Sequence, residues 1–197
     1  MKIIYITHQV RKVKDTDKFE GFYDEWQVSD PHQLIWATRF ATEAIKRIDK
    51  YKFESWTLYD ESTENQKLVK DEEFRGIKFR SFPAKKIMGR FFSLSLVKEI
   101  IKVQKSNQKI IFHLQSAHEY TNYFLSFFCR KSPLVCTPRS GSPPIEKFKL
   151  INKSPKKLYY LLMHLVDRFV LRFIDYMFVS SLGGFVYLRN NNFKNVL

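Results

Sequence analysis

Residues 109–119 read KIIFHLQSAHE, an apolar run that ends in His113, Gln115, His118 and Glu119. Imidazole, amide and carboxylate groups hold protons and orient hydroxyl-bearing ligands, so their appearance where an apolar run stops raises a question of chemistry. A second stretch, TPRSGSPP at 137–144, offers the guanidinium fork of Arg139 for a phosphate or carboxylate. Beside it, Ser140, Gly141 and Ser142 bring hydroxyls and flexible backbone N–H groups. His8 and Gln9 follow a first apolar run, KIIYIT, and Ser180 ends YMFVS. Each stretch also has a plainer reading. His113 would serve as a hydrogen-bonded histidine at a strand end, and 137–144 as a proline-bounded surface turn. His32 is isolated, His164 falls inside an expected helix as a structural residue, and Glu119 and Glu146 have no spacing that pairs them. The chain has neither G-x-x-x-x-G-K-[ST] nor a G-x-G-x-x-G after the first run, so neither usual glycine-rich phosphate loop is encoded. No triad or metal cluster emerges from the spacing, and no cofactor is expected.

The elements that must position these groups alternate. Lys2–Thr7 reads as a buried parallel strand, followed by a long polar loop from His8 to Ser29. Asp30 is an N-cap with Pro31 and Gln33 in capping-box spacing, and Leu34, Ala37, Ala41, Ala44, Ile45 and Ile48 form one helical stripe. Further strands are expected over 53–59, 76–82 (stopped by Pro83), 109–114, 134–137 and 176–180, with a seventh beginning in FKNVL. The charged ESTENQKLVKDEE reads as a surface loop. Helices are expected over 91–104, 120–128, 156–173 and 182–189. This order predicts one doubly wound, Rossmann-like α/β domain, with a mainly parallel sheet of six to seven strands and helices on both faces. Such sheets bind ligands at the carboxyl ends of their strands, where the polar groups above would collect.

The composition, 44% hydrophobic and 16% aromatic, is enough for a substantial core and excludes a disordered chain. Cys129 and Cys136 lie in apolar surroundings without C-x-x-C spacing, which predicts buried structural thiols and a reducing compartment. The apolar stretch 158–179 is interrupted by His164, Asp167, Arg168, Arg172 and Asp175, so it does not read as a membrane span. The N-terminal apolar run is too short for a secretory signal. A cytoplasmic location is expected, or peripheral attachment to the inner face of the plasma membrane. A formal net charge of +14 points to a polyanionic neighbour. Two basic, apolar stretches bear on that neighbour. In 84–105, Lys85, Lys86, Arg90, Phe91 and Phe92 suit a tip touching an anionic membrane, or hydrophobes turned inward. In 153–173 the same two readings stand, a face for an anionic membrane or hydrophobes against the sheet with the cations in water, and the second is expected.

These elements resemble the N-terminal half of a GT-B glycosyltransferase of the retaining "glycosyl transferases group 1" family. The resemblance rests on KIIYIT with its long first loop, IIFHLQSAH, PLVCTPRSG, IDYMFVSSLGGFVYL and the closing FKNVL. It covers the whole chain and implies an acceptor-side domain. A nucleotide-sugar would be the donor substrate, a glycan or glycolipid the acceptor in cell-surface polysaccharide or glycolipid synthesis. The family's C-terminal nucleotide-sugar domain is not in this chain, so a fragment inactive by itself is expected. His113 matches the first histidine of the family's His-x-His exit, with Gln115 replacing the second. Arg139 falls where many members place a histidine, and Ser180 matches the serine before the last helix. The family's Gly-Gly loop after the first strand is missing here. His8, Gln9, His118 and Glu119 would contact acceptor, and Ser140, Gly141 and Ser142 donor phosphate or sugar.

Two other classes compete. A non-catalytic basic α/β module would bind nucleic acid through charge, although the sequence has no RNP motif or helix-turn-helix. A phosphate-handling enzyme on a flavodoxin-like sheet would act without any second domain.

Overall fold

The computed structural model describes residues 1–11, 51–62, 68–74, 77–87, 90–115, 120–137, 148–149, 156–179, 182–190, 193, 195 and 196. The expected helix over 30–48 lies outside them. The chain is α/β with mainly parallel strands, as the alternating pattern predicts. It divides into two compact units, Met1–Glu99 with Gln108–Ile110, and Ile100–Asn107 with Ile111–Leu197.

The first unit contains β1 (Lys2–Arg11), β2 (Lys52–Asp60), β3 (Lys70–Phe74), β4 (Ile77–Ile87), β5 (Arg90–Phe92) and the start of α1 (Leu94–Gln104). Its strands run in the order β3-β4-β2-β1, with β1, β2 and β4 mutually parallel and β3 antiparallel at the edge. β2 is buried continuously from Ser55 to Tyr59, as a strand covered on both faces must be. Trp56, Leu58, Phe79 and Phe82 supply apolar bulk. The hydroxyls of Thr57 and Ser81, opposite each other across β2 and β4, satisfy one another at 3.0 Å.

Several boundaries differ from the sequence expectation. β1 continues through His8 to Arg11, where a loop was expected, because it keeps pairing with β2 after a bulge. Three residues between Ile6 and Val10 stand against one, Thr57, between Trp56 and Leu58. β4 runs past Pro83 to Ile87; its pairing with β3 ends at Ser81, so the proline ring removes no donor from that ladder. Phe91 and Phe92 do not begin a helix. They form β5, paired antiparallel with Lys86 and Lys85, and Ser93 caps α1 by accepting from the Leu96 N–H at 3.2 Å. The charged KDEEF segment, expected in a loop, is edge strand β3.

Arg80 of β4 explains why so acidic a segment can be a strand. Its Nε donates to Asp71 Oδ1 at 2.8 Å and its Nη1 to Glu99 Oε1 at 2.7 Å. The guanidinium lies 5.5 Å from the ring centroids of both Trp56 and Phe82. Burial opposes the charge, but the hydrogen bonds it donates to both carboxylates raise the guanidinium pKa. One side chain therefore binds the edge strand and the first turns of α1 to the central strands.

The second unit contains the rest of α1, β6 (Ile110–Gln115, beginning in the first unit), α2 (Tyr120–Cys129), β7 (Leu134–Thr137), α3 (Lys156–Val170), a 3₁₀ turn (Leu171–Phe173), β8 (Tyr176–Met177) and α4 (Leu182–Asn190). β6, β7 and β8 are parallel neighbours in that order. Helical crossovers of this length are what parallel pairing requires. A parallel bridge from Met177 to Val196 shows FKNVL adding to the edge of β8 away from β7. Gln104 closes the C-terminus of α2: its amide donates to Phe128 O and accepts from the Lys131 N–H. Cys129 and Cys136 are buried, as expected, and burial pushes the Cys129 thiol pKa up. Among the described residues no helix is long and apolar enough to cross a membrane.

Replacing Arg80 by Met would remove its hydrogen bonds to Asp71, which keeps Lys78, and to Glu99. Urea unfolding should show a loss of about 2 kcal/mol, only partly restored by Lys, which cannot reach both carboxylates with a planar fork. An Arg80→Met variant as stable as the wild type would contradict this role.

Candidate functional site

The strand exits of the second unit hold the best-defined polar site. His113 lies in β6, one residue before the last pair of apolar and polar positions, Leu114 and Gln115. Its ring is 9% exposed. Nε2 is 2.7 Å from the hydroxyl Oγ1 of Thr137, the last residue of β7. The Phe178 ring, just beyond β8, has its centroid 6.5 Å away and tilted. Parallel register brings these groups together: His113 stands opposite Val135 and Gln115 opposite Thr137. Thr137 was not singled out from sequence. The signal for it was present, since a hydroxyl ending one strand two residues past the partner of His113 is placed by register alone.

Burial lowers the His113 pKa from the ordinary 6.5 to about 4. Near pH 7 the ring is therefore neutral. It can accept or donate one hydrogen bond to Thr137 according to tautomer, and it can orient a ligand hydroxyl. It cannot serve as an imidazolium acid there.

The other expected site residues divide by position. Gln115 ends β6, and His8 and Gln9 sit in the bulged part of β1 in the first unit; for these three the backbone alone is described. His118, Glu119, Arg139, Ser140, Gly141, Ser142 and Ser180 lie outside the described residues. His164 of α3 contacts the Tyr187 hydroxyl of α4 at 3.2 Å, in keeping with the structural role expected for it.

In the first unit the β4–β5 hairpin borders a cleft of 460 Å³ lined by Glu61, Pro83, Lys85, Ile87, Phe92 and residues of the first α1 turns. Lys85 is exposed and 3.7 Å from Glu61, and Phe92 is half-buried against the cleft. Ile87 and Leu94 are exposed beside them. Lys86, Arg90 and Phe91 belong to the same hairpin, with their backbone alone described. The cleft opens where β2 and β4 end and α1 begins, and its two cations, Lys85 and Lys98, suit an anionic ligand.

No protein-family model matches the chain, and no curated protein matches it.

The His113 shift gives stability a defined pH dependence. An unfolded imidazole titrates near 6.5 and the folded one near 4, so between those values the unfolded state binds more protons. Stability contributed by the neutral ring is complete above pH 6.5, falls as pH drops towards 4, and levels off below. The loss should approach about 3 kcal/mol. Urea titrations of wild type and His113→Gln from pH 7.5 to 4 should show the difference between them shrinking by that amount. A pH-independent difference would mean that the ring is solvated.

Proposed function

We propose that this chain is the acceptor-side domain of a GT-B glycosyltransferase that transfers a sugar from a nucleotide-sugar to a glycan or lipid-linked acceptor. The observation that carries the reading is the neutral His113 at the carboxyl end of β6, hydrogen-bonded to the terminal residue of the parallel neighbour β7. A parallel α/β sheet presents its ligands at this end. A neutral imidazole there keeps a ring lone pair that can accept a hydrogen bond from an acceptor hydroxyl, which an imidazolium lacks.

In this reading Gln115, His118 and Glu119 complete the acceptor surface beside His113. Arg139 and the Ser140–Gly141–Ser142 turn meet donor phosphate or sugar, and Ser180 adds a hydroxyl. Stabilising the departing diphosphate supplies most of the rate. The donor's nucleotide is assigned to a second lobe. An acceptor carried on lipid would place the work at the inner face of the plasma membrane. The positive charge also suits the competing reading, a basic module for nucleic acid, and the tests separate the two.

With the second lobe present, His113→Ala should lower glycosyl transfer roughly 100-fold, measured as nucleotide release from the donor. Thr137→Val should lower it less, because it removes only the hydroxyl that holds the ring. The present chain alone should neither turn over nucleotide-sugar nor shift nucleic acid in a low-salt gel. Unchanged transfer by His113→Ala would remove His113 from the site, and a gel shift would favour the nucleic-acid module.

A further inference from the structure

The face of α3 was expected to lie against the sheet, and it does not. Met163 and Val170 are buried, while Leu158 (63%), Leu162 (53%), Leu165 (54%) and Phe169 (51%) are largely exposed, with Tyr159, Leu161 and Val166 also exposed beside them. At 100° per residue these positions form one continuous arc covering nearly half of the helix. The arc extends beyond the helix: Phe169 packs edge-on against Phe173, and Phe173 against the exposed Phe127 of α2.

Cations border this apolar face. Lys156, Lys157 and Arg168 of α3 are exposed, as is Arg172 in the turn after it. Arg130 lies 4.8 Å from the Phe127 ring centroid, at the far end of the aromatic row. The one acid in the α3 sequence is Asp167, and helical spacing assigns that position to the opposite arc. Exposed Leu and Phe bordered by Lys and Arg, on a helix too short and too polar to span, match a helix lying in the interface of an anionic bilayer. A second copy of this chain is a poorer occupant, because two such faces would bring like charges together.

We propose that α3, with Phe127 and Phe173, is a docking surface for an anionic lipid bilayer. Leu158, Leu162, Leu165 and Phe169 enter the acyl boundary, and Lys157, Arg168, Arg172 and Arg130 meet lipid phosphates. This inference rests on the exposed face and not on the glycosyltransferase reading. It would survive if no sugar transfer were found, and its failure would leave that reading standing.

The test is co-sedimentation of the chain with vesicles of phosphatidylcholine alone, or mixed with phosphatidylglycerol, for wild type and two double variants. The wild type should bind the mixed vesicles, prefer them clearly over phosphatidylcholine, and release as salt is raised. Leu162→Gln with Leu165→Gln should weaken binding by roughly 10-fold per leucine. Arg168→Gln with Arg172→Gln should weaken it about 5-fold per charge. Melting temperature and sedimentation velocity are measured on the same samples. Unchanged melting and a monomer throughout, with binding lost, support the proposal. It is overturned by any of four results: no binding to phosphatidylglycerol vesicles; equal binding to both vesicle types; leucine variants that bind like wild type; or leucine variants that melt far lower or dissociate a wild-type dimer. The last result would show that the face packs against protein.

Discussion

A strand with parallel neighbours on both sides can leave neither of its faces to water. In the first unit this constraint decides what β2, between β1 and β4, can carry. The central positions of β2 and β4 are apolar or hold small hydroxyls, and Thr57 and Ser81 meet each other because both are buried. Burial acts the same way on His113 of β6, which at 9% exposure is kept uncharged. Charge is moved outward, to strand ends and to the sheet edge. Arg80 is the limiting case: a cation next to the core is tolerable because two carboxylates and two aromatic rings surround it.

The site follows from that exclusion. A polar side chain near the end of a parallel strand needs a partner, and register supplies one from the adjacent strand end. His113 and Thr137 meet for this reason, with Phe178 beyond β8 shielding the ring. A neutral imidazole in such a place can direct a hydrogen bond.

The pattern of strands and helices was legible because buried parallel strands read as short β-branched runs, and IIFHLQ, LVCT and KIIYIT are all of that kind. Boundaries were less legible wherever pairing, not local propensity, decides them. KDEEF is a strand only because Arg80 and Lys78 lie opposite its acids. Phe91 and Phe92 have helix-compatible neighbours, yet the antiparallel turn back onto Lys85 and Lys86 captures them. β1 passes through His8 and Gln9 because a bulge restores its register with β2, and no residue in that stretch announces a bulge.

The orientation of α3 was illegible for a different reason. A helix with apolar residues on a single narrow stripe can face only one way. Here Leu158, Leu161, Leu162, Leu165, Val166 and Phe169 occupy a broader arc than Met163 and Val170 do, so hydrophobic patterning alone turns the broader arc inward. The structure instead buries the narrow stripe, with His164 reaching the Tyr187 hydroxyl of α4. A fold that keeps charge away from its parallel strands thus places cations and leucines together on an outer helix, the combination that an anionic surface can satisfy and water cannot.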